Sequence, residues 1–208
     1  MSLISYENLI DPVLRNVREI IPEFSGMKAG DEVLDVCCGT GAQVIEYSQH
    51  DILATGIDKE QSMLSVALKN KEELNSVNAS FYLADATSLP FDDNSFDYVS
   101  ICFGLHDKEK DIRNKVVSEM KRVVKQEGFL VLADFKVPLP KNMWAMFARI
   151  IEFVAGGSHY RGFKDFNNSG GLKKILKDHL LFKQKTGYFK GGILEILKVK
   201  LYDDSEPN

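Results

Sequence analysis

The chain of 208 residues is poor in the features that mark several protein classes. It has three cysteines, Cys37, Cys38 and Cys102. Adjacent cysteines rarely pair with each other, and an odd number leaves no disulfide framework, so a reduced, cytoplasmic chain is expected. No CxxC pair or histidine-rich spacing accompanies them, so no metal site is expected. No apolar run reaches the ~20 residues of a membrane span. The nearest, Met143 to Val154, is interrupted by Arg149 and Glu152. The start Met1-Ser2-Leu3-Ile4-Ser5 lacks the basic and apolar regions of a secretory signal. Excess positive charge is also missing. The formal net charge of -4 argues against a nucleic-acid partner held by bulk electrostatics. Repeats and low-complexity segments are absent, and the acidic tail from Asp203 to Asn208 is expected to fray.

What is present suits one soluble domain. Hydrophobic residues make up 44% and charged residues 27% of the chain, ordinary values for a globular protein. A single domain over 1–208 is expected, with cap elements at about 1–25 and 138–170. Ile10, Leu14, Val17 and Ile21 recur at helical spacing from Tyr6 to Ile21, and Pro22, Gly26 and Gly30 then break the chain. Apolar strands alternate with helices after that. The strands are Glu32–Val36, Ile52–Asp58, Ala79–Leu83, Phe96–Phe103 and Gly128–Phe135. The helices between them are Gly41–Gln49, Glu60–Leu74 and Asp111–Lys125. Such alternation predicts a parallel sheet covered on both faces. Lys141 to Ala155 reads as a helix with apolar residues on more than one face, either buried or covering an apolar pocket. Gly156 to Gly162 reads as a loop, and Leu172 to Leu180 as a helix. Leu181–Phe189 and Ile193–Leu201 read as strands joined by a hairpin at Lys190-Gly191-Gly192.

Ligands of such sheets bind beyond the carboxyl ends of the strands, where the strand order reverses. Asp35, Asp58, Asp85 and the segment after Cys102 all fall there. The run Val33-Leu34-Asp35-Val36-Cys37-Cys38-Gly39-Thr40-Gly41 reads as a buried strand, a tight turn and a helix start. Its GxG is weak alone, because Val44 stands where a dinucleotide fingerprint has a third small residue. Asp58 comes roughly 20 residues later, the distance at which an acid meets ribose hydroxyls. The alternative is a cap before Lys59-Glu60-Gln61, but with the glycine turn in place the ribose reading is favoured. Asp85 could accept from an exocyclic amine such as that of adenine, or cap its own loop. His106 is the rim histidine whose ordinary pKa suits a proton acceptor, against a capping or loop role. His159-Tyr160-Arg161 could orient a substrate or simply pack. Cys37 and Cys38 read as packing residues.

Taken together, these segments resemble a known family. Leu34-Asp35-Val36-Cys37-Cys38-Gly39-Thr40-Gly41, Gly56-Ile57-Asp58, Ala84-Asp85-Ala86, Leu89-Pro90-Phe91 and Phe96-Asp97-Tyr98-Val99 are similar to the motifs of the class I S-adenosylmethionine-dependent methyltransferases. Phe103-Gly104-Leu105 and the run from Glu119 to Gly128 resemble the ubiquinone/menaquinone C-methyltransferase branch. The sequence departs from the pattern at Cys37, where many members have a glycine, and at His106-Asp107, where the branch usually has Arg-Asn. The resemblance implies an α/β fold, a Rossmann-like seven-stranded sheet that is parallel except for a C-terminal antiparallel hairpin, with a small helical cap. It implies S-adenosyl-L-methionine as cofactor. Asp35, Cys37, Gly39 and Gly41 would hold its methionine portion and Asp58 the ribose. Asp85 and Ala86 would hold the adenine, Lys59 and Met63 would flank ribose and adenine, and Cys102 and Phe103 would pass near the sulfonium. A methyl acceptor that is small and partly apolar would meet Trp144, His159 and Tyr160, with His106 as base if a proton must leave. Two other readings stay open at this level: a nicotinamide-dependent oxidoreductase and a non-catalytic S-adenosylmethionine-binding module.

Overall fold

The computed structural model describes residues 11–202, apart from the side chains of residues 11–13, 147 and 155. The expected helical turn at Tyr6–Ile10 and the acidic tail lie outside the described residues. The elements are α1 (Asp11–Ser25), β1 (Glu32–Val36), α2 (Ala42–Gln49), β2 (Leu53–Asp58), α3 (Gln61–Glu73), β3 (Ala79–Leu83), β4 (Phe96–Cys102), α4 (Lys110–Val123), β5 (Val124–Phe135), α5 (Met143–Ala155), α6 (Gly157–Ser169), α7 (Gly171–Asp178), β6 (Phe182–Phe189) and β7 (Leu194–Lys200).

The strands form one sheet in the order β3-β2-β1-β4-β5-β7-β6. The first five are mutually parallel, and β7 runs antiparallel to both β5 and β6. This is the expected architecture, including the closing hairpin. The central strands carry Val33, Leu34, Val36, Val99, Ile101 and Leu130 with no exposed surface. Near-continuous apolar runs of this kind belong to strands covered on both faces. The edges are treated differently. Tyr82 and Leu83 of β3 are exposed, while β6 carries Lys183 and Lys185, charges that discourage edge-to-edge pairing. Strand order reverses between β1 and β4, which makes their carboxyl ends the switch point.

Three expectations need correction. Pro22 does not end the first helix, which continues to Ser25. A proline nitrogen cannot bond the carbonyl one turn earlier. Here that carbonyl belongs to Arg18, and it accepts from the side-chain amide of Gln43 in α2 at 3.4 Å. The segment Gly156–Gly162 is not a loop. The chain breaks between α5 and α6 at Gly156 and Gly157, with φ of 66° and 55°. The residues after them are helical because Phe163 and Phe166 are buried one turn apart.

The third correction concerns α5. Asn142 caps it by accepting from Ala145 N at 2.9 Å. Its inward positions are the small residues Ala145 and Ala148, followed by Glu152. Its large apolar side chains, Met143, Trp144, Met146, Ile150, Phe153 and Val154, point outward. Small side chains let a helix axis lie close to what it covers. The bulk that suggested a buried helix therefore faces away from the core.

Candidate active site

The turn after β1 is built on left-handed backbone. Cys37, Gly39 and Gly41 have φ of 60°, 54° and 76°. That conformation costs an ordinary residue roughly 1–2 kcal/mol, and Cys37 carries it at the position where the resembled family has glycine. Gly39 N donates to Asp58 Oδ2 at 2.9 Å, and Glu60 N donates to Asp58 Oδ1 at 2.9 Å. Asp58 thus ties β2 to the turn and fixes Glu60, the residue before α3, with the same carboxylate. Nothing lies within 4 Å of the place a Cβ on Gly39 would take. That face of the turn is open to an incoming group.

Asp85 is exposed, and its Oδ1 accepts from Thr87 N and Thr87 Oγ1, both at 2.8 Å. These bonds hold its carboxyl below the ordinary range, so it is ionised, and both of them use Oδ1. Ala86 beside it is buried, Met63 is half-buried and Lys59 is exposed. The neighbouring Leu89-Pro90-Phe91 loop is clamped from α4. Arg122 donates to Leu89 O at 3.0 Å and Phe91 O at 2.7 Å, and Glu119 Oε2 accepts from Leu89 N at 2.7 Å. Two motifs far apart in sequence are therefore one structural unit.

Asp35 faces inward. It is 2% exposed and its Oδ1 lies 2.6 Å from Ser100 Oγ on β4. Burial pushes its carboxyl up to about 7, against the pull of the Ser100 bond and of Arg18. Cys102 closes β4, and Phe103 follows with φ 59°. Burial raises the Cys37 thiol to about 11, and Cys38 and Cys102 also rise. The three are packing thiols, not thiolate nucleophiles.

A second group of polar residues lies under the cap. Asp134, at the end of β5, is 1% exposed. Its Oδ2 accepts from Leu105 N at 3.2 Å and His106 N at 3.1 Å. Its Oδ1 lies 2.7 Å from His106 Nδ1 and accepts from Phe135 N at 2.7 Å. The other ring nitrogen, Nε2, stands 3.5 Å from Glu152 Oε1. Glu152 Oε2 stands 2.9 Å from His159 Nδ1, and His159 Nε2 lies 3.6 Å from Asp107 Oδ2. Carboxylates and imidazoles alternate through five residues drawn from the β4–α4 loop, β5, α5 and α6. Burial alone would lower the His106 pKa. The Asp134 charge and bond, joined by Glu152, outweigh it and hold the imidazole well above its ordinary range. Burial alone would likewise raise the Glu152 carboxyl, but the two histidines hold it at about 2. A histidine titrating near neutrality was expected at 106; the structure has one held between two carboxylates.

The backbone explains how α6 reaches this group. A Cβ on Gly162 would stand 2.2 Å from Asp107 O. Only glycine lets the helix lie on that loop, and His159 precedes it by about one turn. Arg113 of α4 fixes the loop from the other side. It donates to Leu105 O at 3.1 Å and to Lys108 O at 2.7 Å, and it meets Asp165 of α6 at 3.2 Å.

The structure thus brings Cys37, Gly39, Gly41, Asp58, Asp85, Cys102 and Phe103 to one rim, and His106 and His159 to one cluster beyond it. Tyr160 packs edge-on against Phe153. With Pro138, Leu139, Arg149 and Phe163 it lines a cleft of about 350 Å³. Trp144 is not brought to these residues. It lies beside Gly191 at the β6–β7 turn, with Lys190 over its ring, about 12 Å along α5 from Glu152 by helical rise. The sequence reading missed Asp134, Glu152 and Asp107. Asp134 carried a usable signal, an acid at a strand's carboxyl end, the rule that had found Asp35, Asp58 and Asp85. Glu152 carried a fainter one, as an acid in an apolar helix.

A Rossmann-like sheet with an antiparallel closing strand, an open glycine turn and an acid at the end of β2 defines the class. The chain belongs to the class I S-adenosylmethionine-dependent methyltransferases. Residues 33–128 match the family model for a methyltransferase domain. The chain is 37% identical to the demethylmenaquinone methyltransferase of Staphylococcus aureus (strain JH9), over 85% of this chain and 78% of that one. Among solved structures it is similar to a SAM dependent methyltransferase from Aquifex aeolicus, with TM-score 0.72, 20% identity and coverage of 96% and 98%. It is also similar to magnesium protoporphyrin IX methyltransferase from Synechocystis PCC 6803 with bound SAH, with TM-score 0.65, 19% identity and coverage of 96% and 88%. At those identities the two structures share the fold. The protein is a methyltransferase and its cofactor is S-adenosylmethionine, which sets aside the nicotinamide reading. The open face at Gly39 and the carboxylates of Asp58 and Asp85 suit that group. Among the described residues no helix is long and apolar enough to cross a membrane.

Proposed function

We propose that the cofactor lies across the β1–β4 rim, with its methionine portion along Asp35–Gly41 and its ribose on Asp58. Its adenine lies beside Asp85 and Ala86, flanked by Lys59 and Met63, and its sulfonium lies near Cys102 and Phe103. The observation that carries this is the bond from Gly39 N to Asp58 Oδ2, which couples the open turn to a ribose acceptor. When bound, the cofactor supplies a methyl group already activated on sulfur. The chain's part is to align the acceptor behind that methyl and to exclude water. Asp35, being buried, supports the turn from below instead of touching the ligand directly.

The acceptor is a small, partly apolar molecule carrying a ring oxygen, of the quinol class. The name of the Staphylococcus aureus relative supports this, and the cleft under the cap mixes Leu139, Tyr160 and Phe163 with the polar Arg149, Lys164, Asn167 and Asn168. His106, with Nδ1 fixed by Asp134, forms the polar end of the acceptor site together with His159 and Glu152. Tyr160 and Phe163 form its apolar wall, and Trp144, at the β6–β7 turn, is not part of it. Calorimetric titration with S-adenosylmethionine and S-adenosylhomocysteine tests the cofactor site, and binding in the micromolar range is expected. No heat with either at high micromolar concentration refutes it. Methyl transfer to a reduced, demethylated naphthoquinone tests the acceptor class.

A further inference from the structure

We propose that His106, Glu152 and His159 form a binding site for one divalent first-row transition-metal ion. One ligand atom from each lies within 4.8 Å of the others. An ion with bonds near 2.1 Å to such ligands sets them about 3–3.5 Å apart. His106 Nε2 and Glu152 Oε1 are 3.5 Å apart, and His159 Nδ1 and Glu152 Oε2 are 2.9 Å apart. The first distance is too long for a good hydrogen bond. The second is short enough, yet Glu152 Oε2 and His159 Nδ1 are both buried and neither has a hydrogen-bond partner. They approach without hydrogen-bond alignment. Glu152 is only 5% exposed, and a carboxylate oxygen held there by charge alone, without an aligned hydrogen bond, is poorly satisfied. An ion between the three groups gives both atoms a directed bond.

The surroundings have the form of an outer coordination shell. A metal-bound histidine typically turns its other nitrogen to a carboxylate, which fixes the tautomer and the ring. His106 does so to Asp134 at 2.7 Å, and His159 turns its Nε2 toward Asp107 at 3.6 Å. Asp134 is itself pinned by three backbone N–H groups, those of Leu105, His106 and Phe135. Two imidazoles and a carboxylate, without thiolate, suit zinc, iron(II) or manganese, whereas magnesium and calcium favour all-oxygen sets. Three protein ligands leave a position open for water or for an oxygen of a bound molecule. What the ion would do there, holding an acceptor oxygen, rests on the acceptor proposed above. Its binding does not.

The test uses full-chain protein stripped with a chelator and titrated with zinc chloride by calorimetry. Cobalt(II) gives an independent reading through its visible absorption. One zinc per chain at micromolar affinity or tighter is expected. Glu152→Gln keeps the side-chain shape, and His159→Ala removes a partly exposed ring, so at least one should stay folded. Every variant with wild-type circular dichroism should bind zinc at least tenfold more weakly. Absence of one-to-one zinc binding, or a smaller change in any folded variant, overturns the site. A smaller change would show that the bound zinc sits on other residues. Titrating S-adenosylhomocysteine into the same samples reads the cofactor site separately, so failure there counts against that reading alone.

Discussion

Replacing Asp58 is the sharpest probe of the rim, because one carboxylate is asked to serve three partners. In the structure its two oxygens accept from Gly39 N and Glu60 N, each at 2.9 Å. Each oxygen has a second lone pair, and the two ribose hydroxyls of the cofactor are the proposed donors to them. A hydrogen bond to a charged group contributes ~1.5–3 kcal/mol. Asp58 is half-buried, so the lower end applies, giving about 3 kcal/mol for two such bonds. That corresponds to roughly a hundredfold loss of affinity for Asp58→Ala. Asp58→Asn keeps one acceptor oxygen and should lose about tenfold. The fold should suffer less. Gly39 N and Glu60 N lie near the surface and can turn to water, so the cost to stability is about 1 kcal/mol, that of a typical hydrogen bond. The assay is calorimetry with S-adenosylhomocysteine beside thermal melts of the same samples. A dissociation constant within threefold of wild type for folded Asp58→Ala refutes the ribose role. A large loss of affinity with an equally large fall in melting temperature would mean that Asp58 only braces the turn.

The remaining predictions concern stability. Asp35 should make the unliganded protein less stable as pH rises. Its folded carboxyl titrates at about 7 against an ordinary 3.8, so between those values the folded state holds a proton that the unfolded state has released. Stability from this group is full below the ordinary value and declines up to about pH 7. At ~1.4 kcal/mol per unit the loss is a few kcal/mol. Melts at pH 5 and pH 8 should differ less in Asp35→Asn than in wild type, and an unchanged difference refutes the assignment. Gly162→Ala places a methyl group 2.2 Å from Asp107 O, and overpacking of this kind costs ~1–3 kcal/mol. Its urea midpoint should fall, and a midpoint equal to wild type would mean that α6 does not rest on that loop. Arg122→Met should cost roughly 1–2 kcal/mol, since it frees two loop carbonyls and Glu119. Amide exchange should accelerate at Leu89, whose N–H is bonded to Glu119, and unaltered protection there would show that the loop is held by other means.

The sheet and its rim were legible because their determinants are local. Strand identity follows from apolar runs such as Val33–Val36, and the rim follows from a topological rule applied to strand ends. Asp58 and Asp85 were found because each ends a strand and precedes a helix or loop start. The sequence reading also anticipated the hairpin, since Lys190-Gly191-Gly192 is too short to join anything else. Asp35 shows where that rule stops. It occupies the same position at the end of β1, but its neighbour across the sheet is Ser100 of β4, paired in register with it. The partner strand decides whether an acid looks inward or outward, and no local pattern names the partner.

The cap was misread for a related reason. Hydrophobic periodicity assumes that the large apolar side of a helix faces the core, and α5 reverses this. What α5 turns inward is Ala145, Ala148 and Glu152, because the space beneath it is already filled by the β4–α4 loop and by α6. Close approach there suits small side chains, and the buried acid Glu152 meets His106 and His159. Those three residues are separated by 46 and 7 positions in the chain, a spacing that matches no ligand motif carried on one element. They meet only because Gly162 lets α6 lie on Asp107 and because Asp134 holds His106 from β5. The rim at Gly39 and Asp58, where the cofactor is proposed to lie, is built from local strand-end motifs. The cluster depends on contacts among four elements, and that is where the specificity of this protein for its acceptor should be sought.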